Sequence, residues 1–423
     1  MASAREIVIT GLGVASPIGI GREPFWASLR EGRSGVRSLG WYANRDLPAT
    51  IAGQVVDLHP ERHVRPRKAL KVMSWDIQLG VVAADLACID AGLDSQPVHP
   101  ERLGVLFGAD MIPCDLKEIV AAYRGCMPAG KFDFRLWGKK ALAEMFPLWM
   151  LKYLPNMAAC HVGIARDARG PNNSLTLGEV SSLAAIAEAK RVIERGQADA
   201  MIAGGTGCRI HPVIWSRHEV YHPSQRRDDP TRASRPFDAE RDGMVHGEGA
   251  GAFVLEERSH AEARGAKVLA RILGQASAFE PRGRDKPLEG RAIRASIRGA
   301  LRDAGLEPRD VGHVNAHGLS TKIDDELEAQ AIHDTLGDVP VTAPKSFFGN
   351  LAAGGGAVEM AVSVLALEKG LVPPTLNYEH PDPNCPVNVI HGKPMEVSQP
   401  TALVLNHSRV GHSVALILGA SEA

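Results

Sequence analysis

An internal echo constrains this chain more than any other feature. Residues 84–108 contain IDAGLDSQPVHPERLGVLFG and residues 300–318 contain LRDAGLEPRDVGHVNAHG, the same order of helix, Asp-Ala-Gly-Leu, Pro, Arg, Gly and strand about 215 residues later. Such a recurrence predicts a duplicated half. A second echo agrees with it. Leu177-Gly178-Glu179 opens a small-residue helix, and Phe348-Gly349-Asn350 opens another rich in Ala and Gly. Glu179 and Asn350 are therefore expected as pseudo-symmetry mates at two helix N-termini. Short β-type runs such as VLFGAD (Val105 to Asp110) and ADAMIAGG (Ala198 to Gly205) alternate with long helical stretches such as 181–195, which predicts an α/β architecture with buried strands. The charged segment EERSHAEARGAK, between the strands GAFVL and VLARILG, divides the chain into residues 1–257 and 258–423. Residues 111–157 have no echo and are rich in Trp, Phe, Tyr and Met. They read as an insertion that caps a site or packs against a partner chain.

Composition then removes several function classes. With 423 residues, 44% hydrophobic and 23% charged, the chain has enough apolar material for a large core. Lys plus Arg number 48 against 49 Asp plus Glu, so no global field holds nucleic acid or an anionic membrane. Electrostatic partners would need a local patch, and two basic clusters are available: Arg62, Arg65, Arg67, Lys68 and Lys71, and Arg226, Arg227, Arg232 and Arg235. Six scattered cysteines without CxxC spacing argue against a disulfide framework and a zinc ribbon. No run of about 18 apolar residues occurs and no signal peptide is legible, so the chain is expected to lack a membrane span and to be cytoplasmic.

Other candidate sites weaken on inspection. Gly11 and Gly13 supply two glycines of a dinucleotide fingerprint, but Ser16 stands where the third belongs, so strand-turn geometry is expected and no nucleotide cofactor. Cys208, His211, His218 and His222 fit no common zinc spacing and read as a polar loop, so no metal is expected. Cys160 and His161 are adjacent on a helix and point about 100° apart, so they are not a nucleophile-base pair. Cys126 lacks a clear cationic cluster to activate it.

Four segments point one way: RPFDAERDGMVHGEGAG (Arg235 to Gly251), VNAHGLST (Val314 to Thr321), APKSFFGNLAAGGGAVE (Ala343 to Glu359) and LVPPTLNYEHPDP (Leu371 to Pro383). In this order, and over nearly the full chain, they resemble the elongating β-ketoacyl-ACP synthases of the thiolase superfamily. The resemblance implies a duplicated five-layer αβαβα thiolase fold, a homodimer or a heterodimer with a ketosynthase, and malonyl- or acyl-thioesters presented by an acyl carrier protein. It also implies a role in fatty-acid or polyketide biosynthesis.

The family's site, carried over residue by residue, departs from its pattern. The family uses a Cys nucleophile at a helix N-terminus and two histidines that polarise the malonyl thioester carbonyl. Here Glu179 stands where the Cys belongs, His317 matches the first histidine and Asn350 stands in place of the second. Lys345, Asp325 and Glu328 fall at the spacings of the family's supporting charge network. Thr321 keeps one of two pantetheine-contacting threonines, and Leu319 replaces the other. In NHSRVGHS (Asn406 to Ser413), Ser408 and Val410 stand where the two Phe residues of the family's gating loop are expected.

These replacements have chemical consequences. A carboxylate that attacked a thioester would give a reactive mixed anhydride, so condensation through an acyl-enzyme is not expected. His317 and Asn350 still offer two donors, the pair that initiating and chalcone-type synthases use to polarise a carbonyl. The first expectation is therefore a nucleophile-free enzyme that decarboxylates a malonyl-type thioester or forms a carbon–carbon bond directly, with Glu179 as base. The second is a non-catalytic subunit resembling a chain-length factor and paired with an active ketosynthase, although such factors usually lose the first histidine too. A thioester hydrolase ranks last.

Overall fold

The structure is a computed structural model that describes residues 5–40, 50–216, 222–281 and 287–421. The first half contains β1 (Ile7–Ser16), α1 (Trp75–Asp90), β2 (Leu103–Gly108), α2 (Met157–Ala165), β3 (Asn172–Leu175), α3 (Ser181–Glu194), β4 (Ala200–Cys208) and β5 (His246–Glu257). The second contains β6 (Ala270–Phe279), α4 (Arg291–Ala304), β7 (His313–Asn315), α5 (Lys322–Leu336), β8 (Pro340–Thr342), α6 (Gly355–Lys369), β9 (Thr401–His407) and β10 (His412–Ala420). Spatial order in the first half is β3-β2-β4-β5-β1, and in the second β8-β7-β9-β10-β6. Each strand has a mate in the same place with the same parallel or antiparallel neighbours. The half-sheets meet where Val8 pairs with Arg271 and Ile9 with Ala270. The echo in the sequence is thus an echo in topology: DAGL closes α1 and α4, and β2 and β7 follow.

The layers follow from which helix faces are apolar. α4 buries Ile293, Ile297, Ala300 and Leu301, one stripe at helical spacing, and lies on the outside of its sheet. α6 is buried from Gly355 to Leu367 on every side, because it lies beside α3 between the two half-sheets. A helix with an apolar surface all round needs such a place. Leu183, Ile186, Val358, Val362, Phe253 and Leu416 join in this central core. Separate cores lie under α1 and α2 on one side and under α4 and α5 on the other. The result is the expected αβαβα stack.

Gly11 and Gly13 find their explanation here. A Cβ at either position would lie 2.2 or 2.0 Å from the carbonyl oxygen of Ala87 or Ala83, so these glycines let α1 press directly on β1. The expected strand-turn geometry holds, with the strand running from Ile7 to Ser16. Residues 111–157 form two helices, Leu116–Gly125 and Trp137–Glu144, with 3-10 turns around them. Met111, Phe134, Leu142 and Met150 are exposed there, at 75%, 74%, 89% and 54%. No helix among the described residues is long and apolar enough to cross a membrane.

Candidate active site

Two of the quoted motifs act first as scaffold. Asp238 accepts hydrogen bonds from the backbone N–H groups of Glu379 and His380 at 2.7 Å and from Arg235 Nε at 3.0 Å. Arg241 reaches Asp382 at 2.5 Å and the carbonyl of Thr321 at 3.0 Å. The segments around residues 235–241 and 379–382 are thereby fastened to the loop that follows β7. Arg235 is only 1% exposed, which corrects its place in the second basic cluster: it serves a buried ion pair. Arg226 and Arg232 likewise face acidic neighbours. Arg62, Arg65, Arg67, Lys68 and Lys71 are exposed.

His317 lies in that loop, 1% exposed. Its backbone N–H and that of Gly318 donate to the two oxygens of Glu328 at 2.7 Å. Lys345 Nζ donates to His317 Nδ1 at 2.9 Å and to the His317 carbonyl at 2.7 Å, and pairs with Glu359 at 2.5 Å. Burial, then the charge of Lys345, holds the His317 imidazole well below its ordinary pKa. With Nδ1 accepting from Lys345, a neutral ring carries its proton on Nε2. His317 Nε2 is buried and has no hydrogen-bond partner among the described residues.

The other expected residues divide. Asp325 does not reach His317: it accepts from the Phe237 N–H at 2.8 Å and faces Arg241 at 3.5 Å, holding the scaffold instead. Glu179 lies in the turn Gly178–Val180 that leads into α3, and Asn350 precedes the matching turn Ala352–Gly354 before α6. The Glu179 carboxylate meets Arg209 at 2.5 Å. Asn350 Oδ1 accepts from the Ala352 N–H at 3.1 Å, and its Nδ2 donates weakly to Met244 Sδ at 3.7 Å. Thr321 precedes α5 and its hydroxyl donates to Asp324 at 2.6 Å. Ser408 lies in the turn between β9 and β10, where its carbonyl accepts from Gly411, and Val410 is 59% exposed.

Three neighbours were not legible as site residues. Arg209 follows the end of β4, is 4% exposed, and its charge also bears on His317. Glu359 sits mid-helix in α6. His407 ends β9, and its ring lies 4.6 Å from that of His317. The signal for His407 and Arg209 was a cationic side chain at the end of an otherwise apolar strand.

The remaining candidates have other partners. Cys208 Sγ donates to Glu248 at 3.1 Å, and His211 Nδ1 accepts from the Val213 N–H at 3.2 Å. His218 lies outside the described residues. Among the described residues no group of His, Cys, Asp and Glu is placed to hold a metal ion. Cys126 is buried.

Comparison with known proteins agrees with the fold. Residues 4–261 match the model of the β-ketoacyl synthase N-terminal domain, and residues 269–379 match that of the C-terminal domain. The chain is 33% identical to a 3-oxoacyl-[acyl-carrier-protein] synthase 2 of Synechocystis sp. over 97% of both chains. It is 35% identical to a putative polyketide β-ketoacyl synthase 1 of Streptomyces cyaneus over 91% of both. Among solved structures, it superposes on a type II polyketide synthase ketosynthase, bound to the hexaketide and in complex with its acyl-carrier protein. There the TM-score is 0.86 and the identity 28%, over 99% of this chain and 100% of the other. The ishigamide ketosynthase/chain length factor gives a TM-score of 0.86 at 27% identity over 99% and 100%.

Proposed function

The chain belongs to the β-ketoacyl synthase family, and from that premise we propose that it acts on malonyl-type thioesters carried by an acyl carrier protein without forming an acyl-enzyme. Glu179 stands at the position of the nucleophile and His317 is the carbonyl-polarising donor. The observation that carries this reading is the buried Nε2 of His317, which has no hydrogen-bond partner among the described residues and whose ring's other nitrogen is occupied by Lys345. A neutral donor fixed in this way stabilises the oxyanion that develops as the malonyl carboxylate leaves as CO₂. The resulting enolate then takes a proton from water, or attacks the carbonyl of an acyl thioester and expels its thiolate, which takes up a proton from water. Asn350 contributes less than expected, since its amide oxygen is engaged and its N–H points to a thioether. The exposed cations from Arg62 to Lys71 suit an acidic carrier protein, and the apolar face of residues 111–157 suits a dimer partner.

A second reading, a chain-length-factor-like subunit of a heterodimer, is favoured by one observation: the Glu179–Arg209 ion pair places a salt bridge where a reacting nucleophile would be. The two readings differ in one assay. With purified chain and malonyl-acyl carrier protein, the enzymatic reading expects CO₂ release above background and a loss of about 10²-fold in His317→Ala, as for removal of one preorganised donor. Equal rates for the two proteins would contradict it.

A further inference from the structure

We propose that His407 is a positioning residue of this site: held between His317 and Glu328, its imidazole keeps His317 neutral, in the form whose tautomer Lys345 sets. The inference rests on reading His317 as the carbonyl donor. His407 is 4% exposed, and the two rings lie 4.6 Å apart between centroids at a tilt of 58°. His407 Nε2 faces Glu328 Oε2 at 3.7 Å. Glu328 is also the carboxylate that takes the backbone N–H groups of His317 and Gly318. One acidic group thus takes the backbone N–H groups of one histidine and faces the ring of the other.

The surroundings decide which ring takes a proton. α5 presents Glu328 and Asp324 to His407, the helix Lys345–Phe348 presents Lys345, and the loop after β7 presents His317. Within its own hairpin Arg409 is bound to Asp324 at 2.6 Å. Burial opposes a charge on His407, but Glu328 and Asp324 outweigh it and raise its proton affinity, with Lys345 working against them. On His317, burial and the charges of Lys345, His407, Arg209 and Arg409 all act in one direction, against protonation. Two imidazoles this close do not both take a proton readily, so the first proton belongs to His407 and the His317 ring stays neutral. Sequence position hid this pairing, because the two residues lie 90 positions apart on different elements.

The test is a pH titration of the full chain labelled with ¹³C at histidine Cε1, followed by NMR. His317→Gln and His407→Gln each identify one resonance by its loss. In the wild type, His407 should titrate above the ordinary imidazole value of about 6.5 while His317 stays neutral across the same range. In His407→Gln, the proton affinity of His317 should rise about tenfold or more, a midpoint shift of about one pH unit. The acid limb of the CO₂-release profile should move up in pH by the same interval, with the rate at the optimum less affected. A purely structural role would lower the rate equally at all pH. An unchanged His317 midpoint in folded His407→Gln overturns the proposal. So does a wild type in which His317 protonates before His407, and that order is decisive even if the variant does not fold. No CO₂ release together with the expected titrations would remove the functional reading and leave the histidine pairing standing.

Discussion

Glu179 and Arg209 form an ion pair in which the side chains are 16% and 4% exposed. Removing the carboxylate takes one charged partner from a desolvated guanidinium, so Glu179→Gln should lower stability by on the order of 1 kcal/mol, readable as a shift in the urea midpoint. The same change should favour substrate. A malonyl carboxylate is repelled by Glu179 and attracted by Arg209, so the variant should bind malonyl-acyl carrier protein more tightly while the His317-dependent rate persists. A weaker-binding variant of unchanged stability would contradict both halves of this argument. An acyl adduct at position 179, seen by intact mass after incubation with acyl-acyl carrier protein, would contradict the absence of a nucleophile. At this scale much of the site was legible. The structure brings His317, Lys345 and Glu328 together, residues that the family resemblance singled out, while Asp325 of the same group turns to Phe237 and Arg241. Arg209, Glu359 and His407 were not legible, since only the folded chain shows which side of an apolar strand or helix faces a distant loop.

The elements themselves carry a second titration. Asp76, at the start of α1, is buried between α1 and the ends of β4 and β5. Burial first, then the nearby charges of Glu248 and Asp110, pushes its carboxyl up to about 7. An unfolded Asp titrates near 3.9, so between about pH 4 and 7 the folded chain holds a proton that the unfolded chain has released. Stability should therefore fall as pH rises through this window, with a slope from this group of at most about 1.4 kcal/mol per pH unit. Asp76→Asn should flatten the dependence when urea midpoints are compared at pH 5 and pH 7.5. An unchanged slope would show that Asp76 is ionised throughout. The order of elements was readable because duplication repeats each helix and strand with its turn chemistry, as DAGL shows at the ends of α1 and α4. The internal position of α6 was less readable. Its near-continuous apolar run fits a helix buried on all sides, but the sequence alone does not say which two sheets cover it.

For the whole molecule, the duplication repeats the turns that lead into α3 and α6, and these turns pack on each other, but Glu179 lies two residues before α3 and Asn350 five before α6, so the two are not the pseudo-symmetry mates that the echo predicts. Residues 111–157 expose Met111, Phe134, Leu142 and Met150, apolar side chains that a partner chain would cover. Sedimentation at micromolar concentration should give a dimer, alone or with a co-expressed ketosynthase, and Leu142→Glu with Phe134→Glu should weaken it. A monomer under both conditions would contradict this assembly. The central claim is that the chain polarises a malonyl thioester without a nucleophile of its own. It is tested most directly by measuring CO₂ release from malonyl-acyl carrier protein by the purified chain, alone and with a partner ketosynthase whose own Cys is disabled. Release above background is expected in at least one of these preparations, with its loss in His317→Ala; background release in both would contradict a working carbonyl donor at His317.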